Sequence, residues 1–289
     1  MSKPAFGANP SPYDIRTFAY PTKAIYIDKG GSRYSVADIE NQSKVGICTA
    51  ISITQNARKA LGKKFSADFQ YLMQKREYDK NWDEGSSIFH ALKVAYGIGL
   101  LPQEEMDKWV TLADRDLPYH EYIKKLQAIP DAEIERLKLI AGSYKIKAYS
   151  VVNTDRDSLA EAINSSAAGV LTRYNVGTEW WTDKDGNPTW NKDLLQPLRA
   201  PAQVVSGHAV TDSNFDGGSF RIANTWSGDW CDGGTAYRLH AQYKPTEAWA
   251  IFYNELPKEI ENQIESRDTI IGQILDLLQK IVVLVTKLK

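Results

Sequence analysis

An α+β fold of two lobes with a cleft between them follows from three features of the sequence. Helical spacing of apolar residues fills the first half of the chain, to about residue 140. After Gly142 the period of the pattern falls to 2, the alternation of a half-buried strand. Helices first and strands second segregate the two structure types, which leaves a helical lobe facing a β-rich one. With 289 residues, 43% of them hydrophobic, the chain has enough apolar surface to fill both.

The elements follow in order. Residues 1–13 are rich in Pro, Gly, Ser and Asn and read as an extended arm. Residues 24–28 alternate as a short strand before a Gly30-Gly31 turn. Ile51, Ile53, Ala57, Ala60 and Leu61 have helical spacing, and Gly62 stops them, so a helix is predicted over residues 49–61. Phe69, Leu72, Met73 and Arg76 mark a second helix. Residues 86–96 mark a third, with Ser86 as its N-cap and Gly97 and Gly99 as its stop. Pro102 restarts a helix, and Ile134, Leu137 and Ile140 line one face of another over 131–140. In the second half, strands are predicted over 144–151, 169–176, 206–212, 219–225 and 248–255, with a short helix at 157–165. Residues 180–198 read as a polar loop with a turn at Asp185-Gly186-Asn187-Pro188.

Bulk properties exclude several function classes. A formal net charge of −1 carries no basic excess, so nucleic acid is not an implied partner. Two cysteines, Cys48 and Cys231, give no disulfide framework if one is a nucleophile, which suits a reducing compartment. Two cysteines and four scattered histidines form no metal-ligand spacing, no glycine loop for phosphate appears, and no cofactor is expected. The N-terminus lacks the apolar core of a signal peptide, and no run reaches the roughly 18 apolar residues of a membrane span. A cytoplasmic protein without a membrane span is therefore expected.

The chemistry points to Cys48. It stands at the start of the helix over 49–61, where unpaired backbone N–H groups and the helix dipole favour a thiolate. A lone Cys there is more often a packing residue. Far downstream, however, Gly207-His208-Ala209-Val210 supplies a base, and Ala223-Asn224-Thr225-Trp226 supplies a group to hold its ring. A nucleophilic Cys needs both.

In these residues the sequence resembles the papain-like cysteine proteases. Gln42 precedes Cys48 by six positions, His208 precedes Asn224 by sixteen, and the GHAV run, the N-x-W and Trp230 also match. The resemblance spans about residues 10–256. It implies a helical lobe over about 41–142 and a β-rich lobe over about 143–257, within a protease domain of residues 14–257. It implies a Cys48–His208–Asn224 triad resting as a thiolate–imidazolium pair, with the Gln42 amide and the Cys48 N–H as oxyanion donors. Trp226 is then the shield of the His208–Asn224 bond. Gly85 and Ser86 stand where the family has a Gly-Gly turn that pairs with extended substrate, so Gly85, Ser86 and Trp226 are the expected substrate-binding residues. No metal is implied.

Departures from the pattern are local. Ser86 replaces the second Gly of that turn. Ser227 and Cys231 each stand where the family usually has Gly, and Cys231 reads as an inert packing thiol. Val45 takes the place of a usual disulfide partner. His90, His120 and His240 lack catalytic neighbours and read as surface or packing residues. Tyr13-Asp14-Ile15-Arg16 resembles the opening of the mature enzyme. That leaves no room upstream for the family's inhibitory prosegment, so another form of control, or none, is expected.

Residues 258–289 lie beyond the resemblance. Ile264, Ile271, Leu278 and Val285 recur every seven residues; Ile260, Ile274, Ile281 and Leu288 fill the interleaved position, with Arg267 as the misfit. This is an a/d coiled-coil seam over about four heptads. Isoleucine at most seam sites disfavours a simple dimer. Ile270, Leu275, Leu277, Val282 and Leu284 widen the face, which suits three or more helices or docking on another protein.

The expectation is a cysteine endopeptidase acting on peptide or protein substrates and held in a homo-oligomer or larger particle by residues 258–289. The rival is a catalytically weak papain-fold structural or binding module, such as a bacteriophage virion component. A cell-wall amidase is disfavoured, because such folds place their Cys and His closer in sequence.

Overall fold

The computed structural model describes residues 6–12, 14, 18–21, 27–182, 197–254 and 258–287, and it divides into the units Met1–Asn254 and Glu255–Lys289. Within the first unit, helix α1 (Cys48–Leu61) is the axis. Gly62 ends it in the left-handed conformation at φ 68°, its N–H closing on the Arg58 carbonyl at 2.8 Å. Every residue from Cys48 to Ala57 is buried, polar ones included. Three of those polar residues bond to groups outside the helix, while Ser52 Oγ is buried without a partner. Thr49 Oγ1 donates to Gln74 Oε1 at 2.9 Å, Gln55 Nε2 to the Asn224 carbonyl at 3.2 Å, and Asn56 Nδ2 to the Ala168 carbonyl at 3.1 Å. A helix buried all round has to bond this way.

Five further helices of the first half of the chain follow α1. Helix α2 (Ala67–Met73) is capped by Ser66, whose Oγ accepts the Phe69 N–H at 3.1 Å. It runs on as a π-helical turn, Gln74–Asp79. Helix α3 (Ile88–Gly97) is capped by Ser87, whose Oγ accepts the His90 N–H at 3.1 Å. The cap is thus one residue later than the sequence suggested: Ser86 is extended, and its Oγ donates to Asp79 instead. Helices α4 (Gln103–Met106), α5 (Tyr119–Gln127) and α6 (Asp131–Ala141) each follow a proline and carry acidic residues in the first turn. Ile51, Phe69, Leu72, Leu101, Tyr122, Ile134 and Leu137 meet in one core.

The β lobe is one mixed sheet. Its strands are β1 (Ala8–Asn9), β2 (Phe18–Ala19), β3 (Lys29–Gly31), β4 (Ser86–Ser87), β5 (Ala148–Val152), β6 (Val170–Val176), β7 (Ser206–Asp216), β8 (Ser219–Ala223), β9 (Thr235–Leu239) and β10 (Glu247–Phe252), less the pair β1–β4, which stands apart. The sheet order is β2-β5-β10-β6-β7-β8-β9, with β3 added to β7. Only β2 joins in parallel. Helix α7 (Arg156–Ser165), capped by Asp155, packs beside β3 and β7. Register between β6 and β7 sets Tyr174 opposite His208.

The strand expected over 144–151 starts only at Ala148, because Gly142–Tyr144 forms a 3-10 turn. Strand β9 has no counterpart among the strands expected from the sequence. Its Arg238 is fully buried, with Nη2 donating to Asp212 Oδ2 at 2.6 Å and Tyr174 Oη on the same carboxylate at 2.9 Å. The strand expected at 24–28 lies mostly outside the described residues, as do the turn at 185–188 and Tyr13, Ile15 and Arg16 of the opening motif.

The second unit holds helix α8 (Lys258–Lys287), 30 residues without a break. Seam residues Ile271, Ile274, Leu278 and Ile281 are exposed, as are Ile270, Leu275 and Leu277 beside them. The side chains of Val282, Leu284, Val285 and Leu288 lie outside the described residues. Among the described residues, no helix is long and apolar enough to cross a membrane.

Candidate active site

The loop before α1 is built to present its side chains. Buried Arg115 grips it from below, with Nε and Nη2 on the two oxygens of Asp68 at 3.0 and 2.8 Å and Nη1 on the Asn41 carbonyl at 3.1 Å. The Lys44 N–H returns a bond to the Arg115 carbonyl at 3.1 Å. From the β lobe, the Thr225 carbonyl accepts the Gln42 N–H at 2.9 Å, and Thr225 Oγ1 donates to Gln42 Oε1 at 2.6 Å. That fixes the Gln42 amide with its nitrogen toward Val45, whose carbonyl it meets at 3.2 Å.

Cys48 opens α1 and is fully buried. The backbone N–H groups of Ala209, Gly7 and Thr49 face its sulfur, but burial outweighs them and pushes the thiol up to about 11. The helix-start position alone suggested a depressed pKa; the covered sulfur reverses it. His208 precedes Ala209 on β7 and is buried too. Its Nε2 meets Asn224 Oδ1 at 2.7 Å. Oδ1 also accepts the Thr225 N–H at 2.8 Å, so it is an acceptor and the His proton sits on Nε2. Nδ1 is then the lone-pair nitrogen, and it is one of the buried atoms without a hydrogen bond. Burial holds the imidazole down to about 4, against the Asn224 bond, which raises it. Trp226 stacks on the ring at 4.6 Å between centroids, and Trp180 meets it edge-on at 5.8 Å.

The Gly85–Ser86 edge is shaped from underneath. Gly85 has φ 92°, a conformation that favours glycine; its N–H is held by Tyr71 Oη at 3.0 Å and its carbonyl by the buried Lys75 ammonium. Lys75 and His90 both pair with Asp79, at 2.9 and 2.5 Å, so His90 is part of this support. Ser227 and Cys231, where the resemblance expects glycine, have φ 71° and 46°. Both therefore hold a left-handed backbone, the conformation that favours glycine. Cys231 is a buried free thiol raised to about 12 by burial, His240 is buried beside Arg238, and His120 is exposed. Among the described residues, no cluster of His, Cys, Asp and Glu is placed to hold a metal.

Arg173, on β6, carries no signal in the sequence pattern. Its Nε donates to the Ala8 carbonyl at 2.9 Å, and its Nη1 is steadied by Asn175 Oδ1 and Thr246 Oγ1 at 3.1 and 2.9 Å. Nor does the pattern place Phe6, whose ring lies against Trp181, Trp226 and His208.

No protein-family model matches the chain, and no curated protein matches it by sequence. Solved structures do. Xylellain, a cysteine protease from Xylella fastidiosa, superposes with a TM-score of 0.67 at 21% identity, over 87% of this chain and 97% of that one. Digestive procathepsin L 3 of Tenebrio molitor gives 0.54 at 12% identity, over 82% and 74%. The Carica candamarcensis cysteine protease CMS1MS2, in complex with E-64, gives 0.50 at 12%, over 80% and 100%. The chain has the fold of the papain-like cysteine proteases.

Proposed function

We propose that the protein is a cysteine endopeptidase, with Cys48 as nucleophile, His208 as base and Asn224 as the group that positions the ring. The observation that carries this is the His208–Asn224 bond at 2.7 Å, which leaves Nδ1 as a buried lone pair on the strand whose next N–H faces the Cys48 sulfur. Nδ1 takes the thiol proton as the sulfur adds to a peptide carbonyl carbon. The oxyanion that forms is met by the Gln42 side-chain amide and the Cys48 N–H. Collapse of the adduct expels the amine, which takes its proton from His208, and leaves a thioester at Cys48. Water, deprotonated by His208, then releases the acid. Gly85, Ser86 and Trp226 line the path of the peptide.

The test is intact mass after incubation with an epoxide inhibitor of papain-like enzymes. A single adduct that is lost in Cys48→Ser and kept in Cys231→Ser supports the reading. The second reading, a papain-fold structural or binding module with little turnover, such as a virion part, is favoured by the raised Cys48 thiol, and the absence of any adduct would support it. In either case α8 is the element of assembly, and exposed Ile271, Ile274, Leu278 and Ile281 support a homo-oligomer of three or more copies.

A further inference from the structure

Strand β6 brings one guanidinium to the cleft beside the candidate nucleophile. Leu171, Arg173 and Asn175 share a face of the sheet, because successive side chains of a strand alternate. Leu171 is buried in a core cluster with Cys48 and Ile53 of α1 and with Ala209 and Trp249 of the sheet. Two residues on, Arg173 stands opposite Ala209, the residue after His208, and is only half-buried. The face therefore leaves the core at Arg173, next to the reactive pair.

Its neighbours fix the guanidinium without neutralising it. Nη1 donates to Asn175 Oδ1 at 3.1 Å and to Thr246 Oγ1 at 2.9 Å, and the Thr246 N–H bonds the Arg173 carbonyl at 2.7 Å. Both side chains are neutral, and no ion pair forms on Arg173 among the described residues. Glu247, opposite it on β10, has its Oε2 on Trp249 Nε1 at 3.3 Å instead. The edge left to the cleft is the fork of Nε and Nη2. Nε donates to the Ala8 carbonyl at 2.9 Å, and Nη2 has no acceptor among the described residues. Gly207 makes the room: a Cβ there would fall 2.4 Å from Nη2 and 2.1 Å from the Ala8 oxygen. Ala8 also pairs with Ser86, so the fork is within reach of whatever residue occupies the Ser86 edge.

We infer that Arg173 selects the substrate: the candidate peptidase takes peptides with an acidic side chain, Asp or Glu, at the residue seated against Ser86. The inference rests on the peptidase reading above. The Nε–H and one Nη2–H lie parallel on one edge of a planar group, and they match the two oxygens of a carboxylate better than a single carbonyl oxygen. A peptide in the cleft exchanges the Ala8 oxygen for its own carboxylate, and both donors of the fork are then used. A lysine in that place meets a like charge, and a leucine leaves the fork without an acceptor. The anion has no competitor inside the protein, since the groups that hold Nη1 carry no charge.

Full-length protein and three epoxysuccinyl peptides test this. The peptides differ only in the residue next to the epoxide, which is Glu, Gln or Lys. With the epoxide on the sulfur that residue reaches the Ser86 edge, as Ala8 does after Gly7, whose N–H faces the Cys48 thiol. The second-order rate of adduct formation at Cys48 is read by intact mass, with circular dichroism as the check on folding. In the parent, Glu should react at least about 10-fold faster than Gln, the worth of one charge-assisted bond, and Lys should be slowest. Arg173→Gln should bring Glu and Gln level, and Arg173→Glu should turn the order so that Lys leads. Rates are compared only as ratios between probes, so whatever slows all three alike cancels. Equal rates for Glu and Gln in the parent, or a Glu preference that survives Arg173→Gln, would overturn the assignment and leave the peptidase standing. No adduct from any of the three would overturn both. If those variants do not fold, Arg173→Lys decides. It keeps the charge and loses the fork, so the Glu-over-Gln ratio should shrink while Lys stays slowest, and an unchanged ratio removes the fork.

Discussion

His208 and Asn224 hold each other in a single arrangement. Nε2 donates to Oδ1 at 2.7 Å, and the Thr225 N–H bonds the same oxygen at 2.8 Å, so neither the amide nor the imidazole is free to turn over. Trp226 stacks on the ring, with centroids 4.6 Å apart. Asn224→Ala removes the acceptor and lets the ring rotate. We expect Cys48 labelling to fall about 10- to 100-fold, and His208→Ala to cost at least about 100-fold, the usual worth of a general base. Asn224→Asp keeps the acceptor and adds a charge that raises the imidazole pKa, so activity should persist with its acidic limb moved to higher pH. A pH–rate profile separates this positioning role from loss of structure.

Burial of the two reactive groups makes stability depend on pH. The imidazole is held down to about 4 from its ordinary 6.5, so the unfolded chain binds a proton that the folded one refuses. Its contribution is complete above pH 6.5 and is lost as the pH falls toward 4, by about 3 kcal/mol. Cys48, raised to about 11 from 9.0, acts the other way: stability is lost as the pH rises above 9. Urea unfolding at pH 7 and 4.5 should show the acid loss in the parent and a smaller one in His208→Gln. An unchanged loss in the variant would assign it to other groups.

Local signals made part of this site legible. Gly62 ends α1 where the sequence stops the helix, because a left-handed residue at φ 68° is a backbone demand that glycine meets at no cost. The His208–Asn224 spacing works because β7 and β8 form a hairpin, with Thr211 opposite Ala223, that folds position 224 back beside 208. What escaped depends on distant partners. Arg238 is buried because Asp212, on another strand, neutralises it. Phe6 to Asn9 have no periodicity, and their strand exists only because Ser86 offers a backbone edge. The cap of α3 moved from Ser86 to Ser87 because Asp79, reached through the π-helical turn, takes the Ser86 hydroxyl.

Arg115 ties the stability of the helical lobe to the position of Gln42. Its guanidinium is fully buried and bidentate on Asp68, and Tyr122 Oη adds a third donor to that carboxylate at 2.9 Å. Arg115→Met leaves Asp68 charged and short of donors, so a loss of about 3 to 5 kcal/mol is expected in urea unfolding. It also frees the Asn41 carbonyl and loosens the turn that aims the Gln42 amide. Arg115→Met with Asp68→Leu should recover much of the stability, since a hydrophobic pair replaces a buried ion pair at little cost. Labelling should not recover with it, because the bond to Asn41 is gone in both variants. Recovery of both together would separate Gln42 from this support.

Helix α8 presents more apolar surface than an isolated helix keeps in water. Ile270, Ile271, Ile274, Leu275, Leu277, Leu278 and Ile281 are each at least 43% exposed. Charge along it is sparse and local, as in the Asp276–Lys280 pair at 2.7 Å, which suits the outer face of a bundle. Isoleucine at both seam positions fills the wider holes of three- and four-stranded packing better than those of a dimer. Light scattering should therefore give a mass of three or more chains for the full-length protein and of one chain after truncation behind Pro257. Ile274→Asp, which puts a charge in the seam, should dissociate the assembly while leaving Cys48 labelling unchanged. A full-length protein that scatters as a monomer would remove the seam as an oligomer interface.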